Sequence, residues 1–305
     1  MNSLIEQATR RLEQLRQAGV IPKALEDANT GDITANRSGA DSLQLSEKKI
    51  PENNIKPSSF SRKVDLDLDA LAGAGIVSPN APRSQIADQY RVIKRPLISN
   101  AMGKGASLIA NGNLIMVTSA LAGEGKSFSA INLAMSIATE LDNTVMLVDA
   151  DVARPSVLRM LGLPASPGLL DLLVGDVDDL SSVLLKTNID KLTLLPSGTP
   201  HLRATELLAS EAMSQLIKNI ANRYSDRIII FDSPPLLLTT ESRVLATHMG
   251  QIVMVVHAEK TLQVDIQHAL ASIEACPVKM MVLNQAKNSL QGGYGGYGYG
   301  YGYEQ

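Results

Sequence analysis

Lys126 carries the first chemical signal in the chain. In Ser119-Ala-Leu-Ala-Gly-Glu-Gly-Lys-Ser127 it follows Gly123 and Gly125 and precedes a hydroxyl. The glycines let the backbone turn so that successive N–H groups aim at one anion, and a helical period beginning at Lys126 adds the positive end of its dipole. This is the pattern of a nucleotide-phosphate loop, with Ala120 where the first glycine usually stands. Lys126 is then aimed at β/γ-phosphates, and Ser127 offers its hydroxyl to Mg²⁺. Gly-Lys-Ser alone recurs by chance in ordinary composition, so the surroundings must carry the reading.

Three aspartates supply them. Val145-Met-Leu-Val-Asp149-Ala-Asp151 and Ile228-Ile-Ile-Phe-Asp232 are apolar runs that end in carboxylates. If both are parallel strands, their acids emerge at the sheet edge that carries the loop. A carboxylate at the end of a buried strand is costly unless something positive meets it, and hydrated Mg²⁺ fits that need. The plainer alternative is an aspartate capping a strand-to-helix turn.

The elements that must position these groups follow from periodicity. Apolar runs predict strands over 114–118, 145–149, 192–195, 228–232, 252–256 and 280–284, and helical periods fall over 85–95, 126–140, 154–161, 203–223, 241–247 and 262–274. Strand then helix, repeated, predicts an α/β fold: a doubly wound, mainly parallel sheet of the phosphate-loop NTPase type spanning 83–288. Leu4, Ile5, Ala8, Leu12 and Leu15 mark a short amphipathic helix within 1–19, either tethered or folded back on the main domain. Residues 20–82, rich in Asn, Ser, Asp, Gly and Pro, read as a mostly disordered linker with Leu66–Leu71 as a docking segment inside it. Residues 289–305 form a Gly/Tyr-rich tail with no element of its own.

Composition removes several classes. Lys+Arg number 28 against 31 Asp+Glu, a net charge of -3, which leaves no electrostatic footprint for nucleic acid. The single Cys276 cannot pair within the chain, and four scattered His offer no metal spacing, so neither a disulfide scaffold nor a zinc site is expected. The first residues lack an apolar leader core and no apolar run approaches the roughly 18 residues of a membrane span, which predicts a soluble, cytoplasmic chain.

Gly123–Ser127, Val145–Pro155 with Arg154 inside it, and Ile228–Pro235, followed by a C-terminal tyrosine cluster, together resemble the bacterial tyrosine kinases. The likeness covers roughly residues 66–305, and the wording of Ile93–Leu97 and Leu66–Ile76 is most like the autokinases of exosortase and exopolysaccharide loci. It implies ATP and Mg²⁺ as cofactors, with Ala122, Gly123, Glu124, Gly125, Lys126, Ser127 and Phe128 around the phosphates. It further implies that Ser127 and Asp232 hold the metal, that Asp149 is the metal-linked base for a tyrosine hydroxyl, and that Asp151 supports the metal through water. Asn284 resembles the position that reads the adenine edge. Asp88, Arg91 and Lys94 lie in a segment resembling the helix through which these kinases assemble into rings, although the family usually has Glu and Arg at 88 and 94. The resemblance implies three partners: further copies of the chain, a membrane-embedded polysaccharide chain-length protein that activates it and brings it to the inner membrane, and a tyrosine phosphatase.

Tyr294, Tyr297, Tyr299, Tyr301 and Tyr303 are five of the seven tyrosines, spaced mainly by glycine, so each phenol can be presented as an extended substrate. The expected activity is ATP-dependent autophosphorylation of this tail in trans, regulating exopolysaccharide assembly. Two rivals remain open: a partitioning-type ATPase, which would carry a signature lysine early in the loop where this chain has Ala120-Leu121-Ala122, and a non-catalytic nucleotide-bound scaffold.

Overall fold

The computed structural model describes residues 61–105, 107–224 and 226–287. The expected helix over 1–19, the linker up to residue 60 and the tail from 288 onward lie outside the described residues. Eight strands form one sheet: β1 Arg62–Val64, β2 Leu114–Ser119, β3 Thr144–Asp149, β4 Leu185–Thr187, β5 Leu192–Leu195, β6 Arg227–Asp232, β7 Gln251–His257 and β8 Val278–Asn284. Their order is β1-β4-β5-β3-β6-β2-β7-β8, and every neighbouring pair is parallel except β4 with β5. This is the doubly wound, mainly parallel α/β architecture the alternating pattern predicts.

The central strands are apolar throughout because both faces are covered, yet a period of two is hidden within them. Leu114, Met116, Met146, Val148, Ile229 and Phe231 point to one face, under helices Leu169–Val174, Ala204–Leu208, Glu211–Arg223, Glu241–Ala246 and Gln263–Ser272. Ile115, Val117, Val145, Leu147, Ile228 and Ile230 point to the other, under helices Leu68–Gly73, Gln85–Ala101, Lys126–Ala138 and Val157–Met160. Lys126–Ala138 packs in the middle of that second layer, so the residues at its start are held over the ends of β2, β3 and β6.

Several boundaries differ from the periodic reading. Residues 61–82, placed in the linker by composition, are folded onto the domain: Leu66, Leu71, Ile76 and Val77 are buried in the second core. Backbone partners hold them there. Leu66 exchanges two 3.0 Å hydrogen bonds with the Asn188 amide, Val77 N donates to Asn132 Oδ1 at 2.7 Å, and Asp67 caps the helix that follows. Four well-placed apolar side chains and two asparagine clamps outweigh the polar composition. The helix expected to end at residue 95 runs to Ala101 through Pro96, because Leu97 is fully buried and outweighs the lost backbone bond. The single helix expected over 203–223 is two, since Ser210 starts the second by accepting from Met213 N. The helix expected over 154–161 is the single turn Val157–Met160. Among the described residues no helix is long and apolar enough to cross a membrane.

Burial of Leu71 yields a direct check. Leu71→Ala lowers stability by about 2–5 kcal/mol in chemical denaturation, where a linker residue would change it by less than about 0.5.

Candidate nucleotide and metal site

The loop between β2 and its helix is fixed by its own residues. Gly123 and Gly125 adopt φ of 84° and 93°, left-handed conformations that favour glycine. At Gly125 a side chain has no room either, since a Cβ would lie 2.1 Å from Asn284 Nδ2. Glu124, between them, turns inward and is buried: its Oε2 accepts from Leu121 N at 2.7 Å and its Oε1 from the Thr261 hydroxyl. Ala122 and Gly123 face solvent, whereas the Phe128 side chain packs into the second core and its carbonyl accepts from Asn132. Within the predicted set, the Glu124 and Phe128 side chains are thus turned into the protein, which leaves the backbone at 122–125 and the Lys126 and Ser127 side chains as the groups available to an anion.

β3 and β6 are adjacent and in register, so Asp149 and Asp232 are direct cross-strand partners at the same edge. Asp149 Oδ2 accepts from Ser156 N at 3.1 Å and Val157 N at 3.0 Å, which anchors the carboxylate, but its buried Oδ1 has no hydrogen-bond partner. Asp232 is fully buried, and neither of its oxygens has one. Burial pushes the Asp149 carboxyl up to about 6; the N–H groups of Val157 and Ser156 and the Lys126 ammonium oppose the rise, and Asp151 adds to it. Burial likewise pushes Asp232 up to about 7, opposed by Lys126 and the nearby Ser127 hydroxyl and reinforced by Asp149 and Asp151. Three orphaned carboxylate oxygens in a dry site are the arrangement a divalent cation resolves. Among the described residues no three His, Cys, Asp or Glu side chains approach closely enough to hold an ion by themselves. A cation here would complete its shell with water and phosphate oxygens, which suits Mg²⁺.

Lys126 and Asp151 meet at 2.6 Å, both largely buried, and Lys126 Nζ lies 3.5 Å from Ser127 Oγ. Asp151 also accepts from Arg154 N at 3.2 Å. An ammonium has three N–H groups, so this ion pair leaves donors for an anion. Expected as a support to the metal through water, Asp151 is here the direct counterion of the loop lysine. Asn284, expected at the adenine edge, donates its amide to Glu124 O at 2.9 Å and so braces the loop. Thr261 and Gln285 complete that brace, Gln285 Nε2 reaching Gly123 O at 3.4 Å. Nothing local marks Thr261, because it meets Glu124 only through the fold.

The residues expected to mediate assembly divide. Asp88 and Arg91 are paired with each other on the exposed side of helix Gln85–Ala101. Lys94 is 3 % exposed, forms a 2.7 Å ion pair with Glu140 and donates to Ser136 O. It fastens its helix to the end of Lys126–Ala138 within the same chain and does not present a charge to a second copy. The predicted phosphorylation sites Tyr294, Tyr297, Tyr299, Tyr301 and Tyr303 lie outside the described residues.

Comparison with known proteins agrees with this geometry. Residues 112–280 match the family model described as an AAA domain. The chain is 29 % identical over 224 residues to the tyrosine-protein kinase YwqD of Bacillus subtilis (strain 168), covering 73 % of this chain and 90 % of that protein. In structure it resembles the chimerical protein CapA2B2, with a TM-score of 0.58 and 26 % identity, covering 73 % of this chain and 93 % of the other. The chain belongs to the bacterial tyrosine kinase family. It is also 30 % identical over 224 residues to the succinoglycan biosynthesis transport protein ExoP of Rhizobium meliloti (strain 1021), covering 72 % of this chain but 27 % of that longer protein. The stretches on which the resemblance rests, Gly123–Ser127, Val145–Pro155 and Ile228–Pro235, are the ones brought together here.

The raised carboxyls set a pH signature. Each has a folded value above its ordinary 3.8, so the folded state holds more protons than the unfolded chain between about pH 4 and 7 and loses stability as pH rises through that window. With chelator present, Asp232→Asn removes on the order of 2–4 kcal/mol of that decline, measured as the difference in unfolding free energy between pH 4 and pH 8. A decline of equal size in both proteins would show that Asp232 does not carry an unpaired charge.

Proposed function

We propose that the chain is an ATP- and Mg²⁺-dependent protein-tyrosine kinase that phosphorylates the Tyr294–Tyr303 cluster of another copy of itself and so regulates exopolysaccharide assembly. The observation that carries this reading is the set of buried, unpartnered oxygens on Asp149 and Asp232 beside Lys126. The names of the Bacillus and Rhizobium relatives support the acceptor and the setting.

Ser127 and Asp232, with Asp149 and Asp151 behind them, are the groups that would hold Mg²⁺, which supplies charge neutralisation on the transferring phosphoryl group. Backbone N–H groups of 122–125 hold the phosphates, and Lys126 places a donor on the β- and γ-oxygens, shifting from its Asp151 pair. The tyrosine Oη attacks the γ-phosphorus as the bond to the β,γ-bridging oxygen breaks and ADP departs. Asp149 Oδ1 accepts the phenol proton, its partner oxygen held in place by the Ser156 and Val157 N–H groups. A free phenol loses its proton near pH 10, far above the value of about 6 for Asp149, so that transfer comes late and positioning carries most of the rate.

From Asn284 to Tyr303 an open chain spans on the order of 60 Å, enough to reach a neighbouring subunit's site. Asp88 and Arg91 remain the exposed part of the proposed assembly helix. A membrane-embedded chain-length protein is the proposed activator and the means of localisation to the inner membrane, and a tyrosine phosphatase the means of reset.

Incubation with labelled ATP, with and without Mg²⁺ and the cytoplasmic tail of that partner, tests the reading. Label is expected on the tail tyrosines, and is lost when all five become phenylalanine or when Lys126→Met is introduced. Asp149→Asn lowers kcat about 10²–10³-fold while changing nucleotide affinity less than tenfold. Label that persists in the five-phenylalanine variant overturns the tail as substrate, and phosphate release without phosphotyrosine overturns the kinase reading.

A further inference from the structure

β8 is an edge strand with an uncovered face. Its free side pairs with no other strand among the described residues. Met280 and Val282 pack toward the second core, but Met281 is 61 % and Leu283 65 % exposed, with Lys279 beside them on the same face. Most of the large exposed apolar side chains of this domain sit in loops, at element ends or singly on helices, whereas these two stand side by side on a strand whose backbone is open for pairing. Such an edge is a template for a further strand unless it is covered.

The chain supplies a segment with the matching period. It leaves β8 at Asn284, and Tyr297, Tyr299, Tyr301 and Tyr303 alternate with single glycines at positions 298, 300 and 302. In an extended strand a period of two puts every tyrosine on one face and every glycine on the other. Tyrosine is a strong strand former, and large aromatic side chains opposite aliphatic ones are among the better cross-strand pairs. About a dozen residues, several of them glycine, separate the two segments, ample for an antiparallel return. We propose that the unphosphorylated Gly/Tyr tail folds back along the free edge of β8 in the same chain, laying its tyrosine rings over Met281 and Leu283.

With the tail tethered to the strand it pairs with, the effective concentration is in the millimolar range, so a modest interface suffices. The glycines then fall on the side of the half-buried Met280 and Val282. Resting on the proposed kinase reading, the docked tail is a stored substrate: phosphate on these tyrosines sets about -1.5 to -2 charge per ring against an apolar face and beside its neighbours, which releases the strand.

Disulfide trapping in the full chain tests the docking directly. Cysteine introduced by Met281→Cys is expected to form an intrachain disulfide with Tyr299→Cys or Tyr301→Cys at least tenfold faster than with Gly300→Cys, which points to the opposite face. Cys276 is buried and does not compete. Hydrogen exchange on the unaltered full chain gives a second readout: β8 amides are expected to be at least tenfold better protected than in a variant with the four alternating tyrosines changed to serine. Changing them, together with Tyr294, to phenylalanine keeps the protection while removing all five proposed phosphate acceptors, so failure of the tail as substrate and failure of the docking are separable. Equal trapping at 299, 300 and 301, disulfides only between chains, or exchange unaffected by the serine changes overturns the proposal.

Discussion

Two carboxylates face each other at the ends of neighbouring strands with no protein donor for three of their four oxygens. A fold does not keep such charges in its driest layer unless something outside the chain compensates them, because each ionised group costs several kcal/mol when left unpaired. Lys126 compensates in part, but its nearest carboxylate is Asp151. The remaining deficit is of one sign and lies at the end of the phosphate loop, and the ligand that would offset it is a cation delivered with an anion that Lys126 and the loop N–H groups can take.

Everything around the deficit serves to hold the loop still. Glu124 is locked by Leu121 N and Thr261, Asn284 seals the loop from the end of β8, and the lack of room at Gly125 shows how tightly the two segments fit. The β8 strand therefore has two roles in the architecture. Its last residue buttresses the phosphate loop, and its open edge offers a surface to the chain that follows. A tail docked there would rest on the strand that braces its own chain's phosphate loop, and its release toward a neighbouring copy would free the edge of that same strand.

How far the sequence led depends on whether a feature is local. The glycines at 123 and 125, the lysine after them and the strand-terminal Asp149 and Asp232 are legible because loop, helix start and strand end are written in consecutive residues. Strands β2, β3, β5, β6 and β7 are legible for the same reason, since an uninterrupted apolar run has few other uses, and the edge strand β8 is legible from its apolar stretch over 280–284. Lys94 was misread because a lysine on a helix ordinarily points to water, and only the packing of Gln85–Ala101 on Lys126–Ala138 turns it onto Glu140. Residues 61–82 were misread because four buried apolar side chains dispersed among polar ones leave no period. The partners of Asn284 and Thr261 are tertiary and have no trace in local pattern.

The central claim is that Asp149 and Asp232 await a cation that arrives with nucleotide. Calorimetric titration of the full chain with ADP, in magnesium and again in chelator, tests it most directly. The account predicts that affinity falls at least tenfold when magnesium is withdrawn and that Asp232→Asn abolishes this dependence. Equal affinity with and without magnesium in the unaltered chain would contradict it.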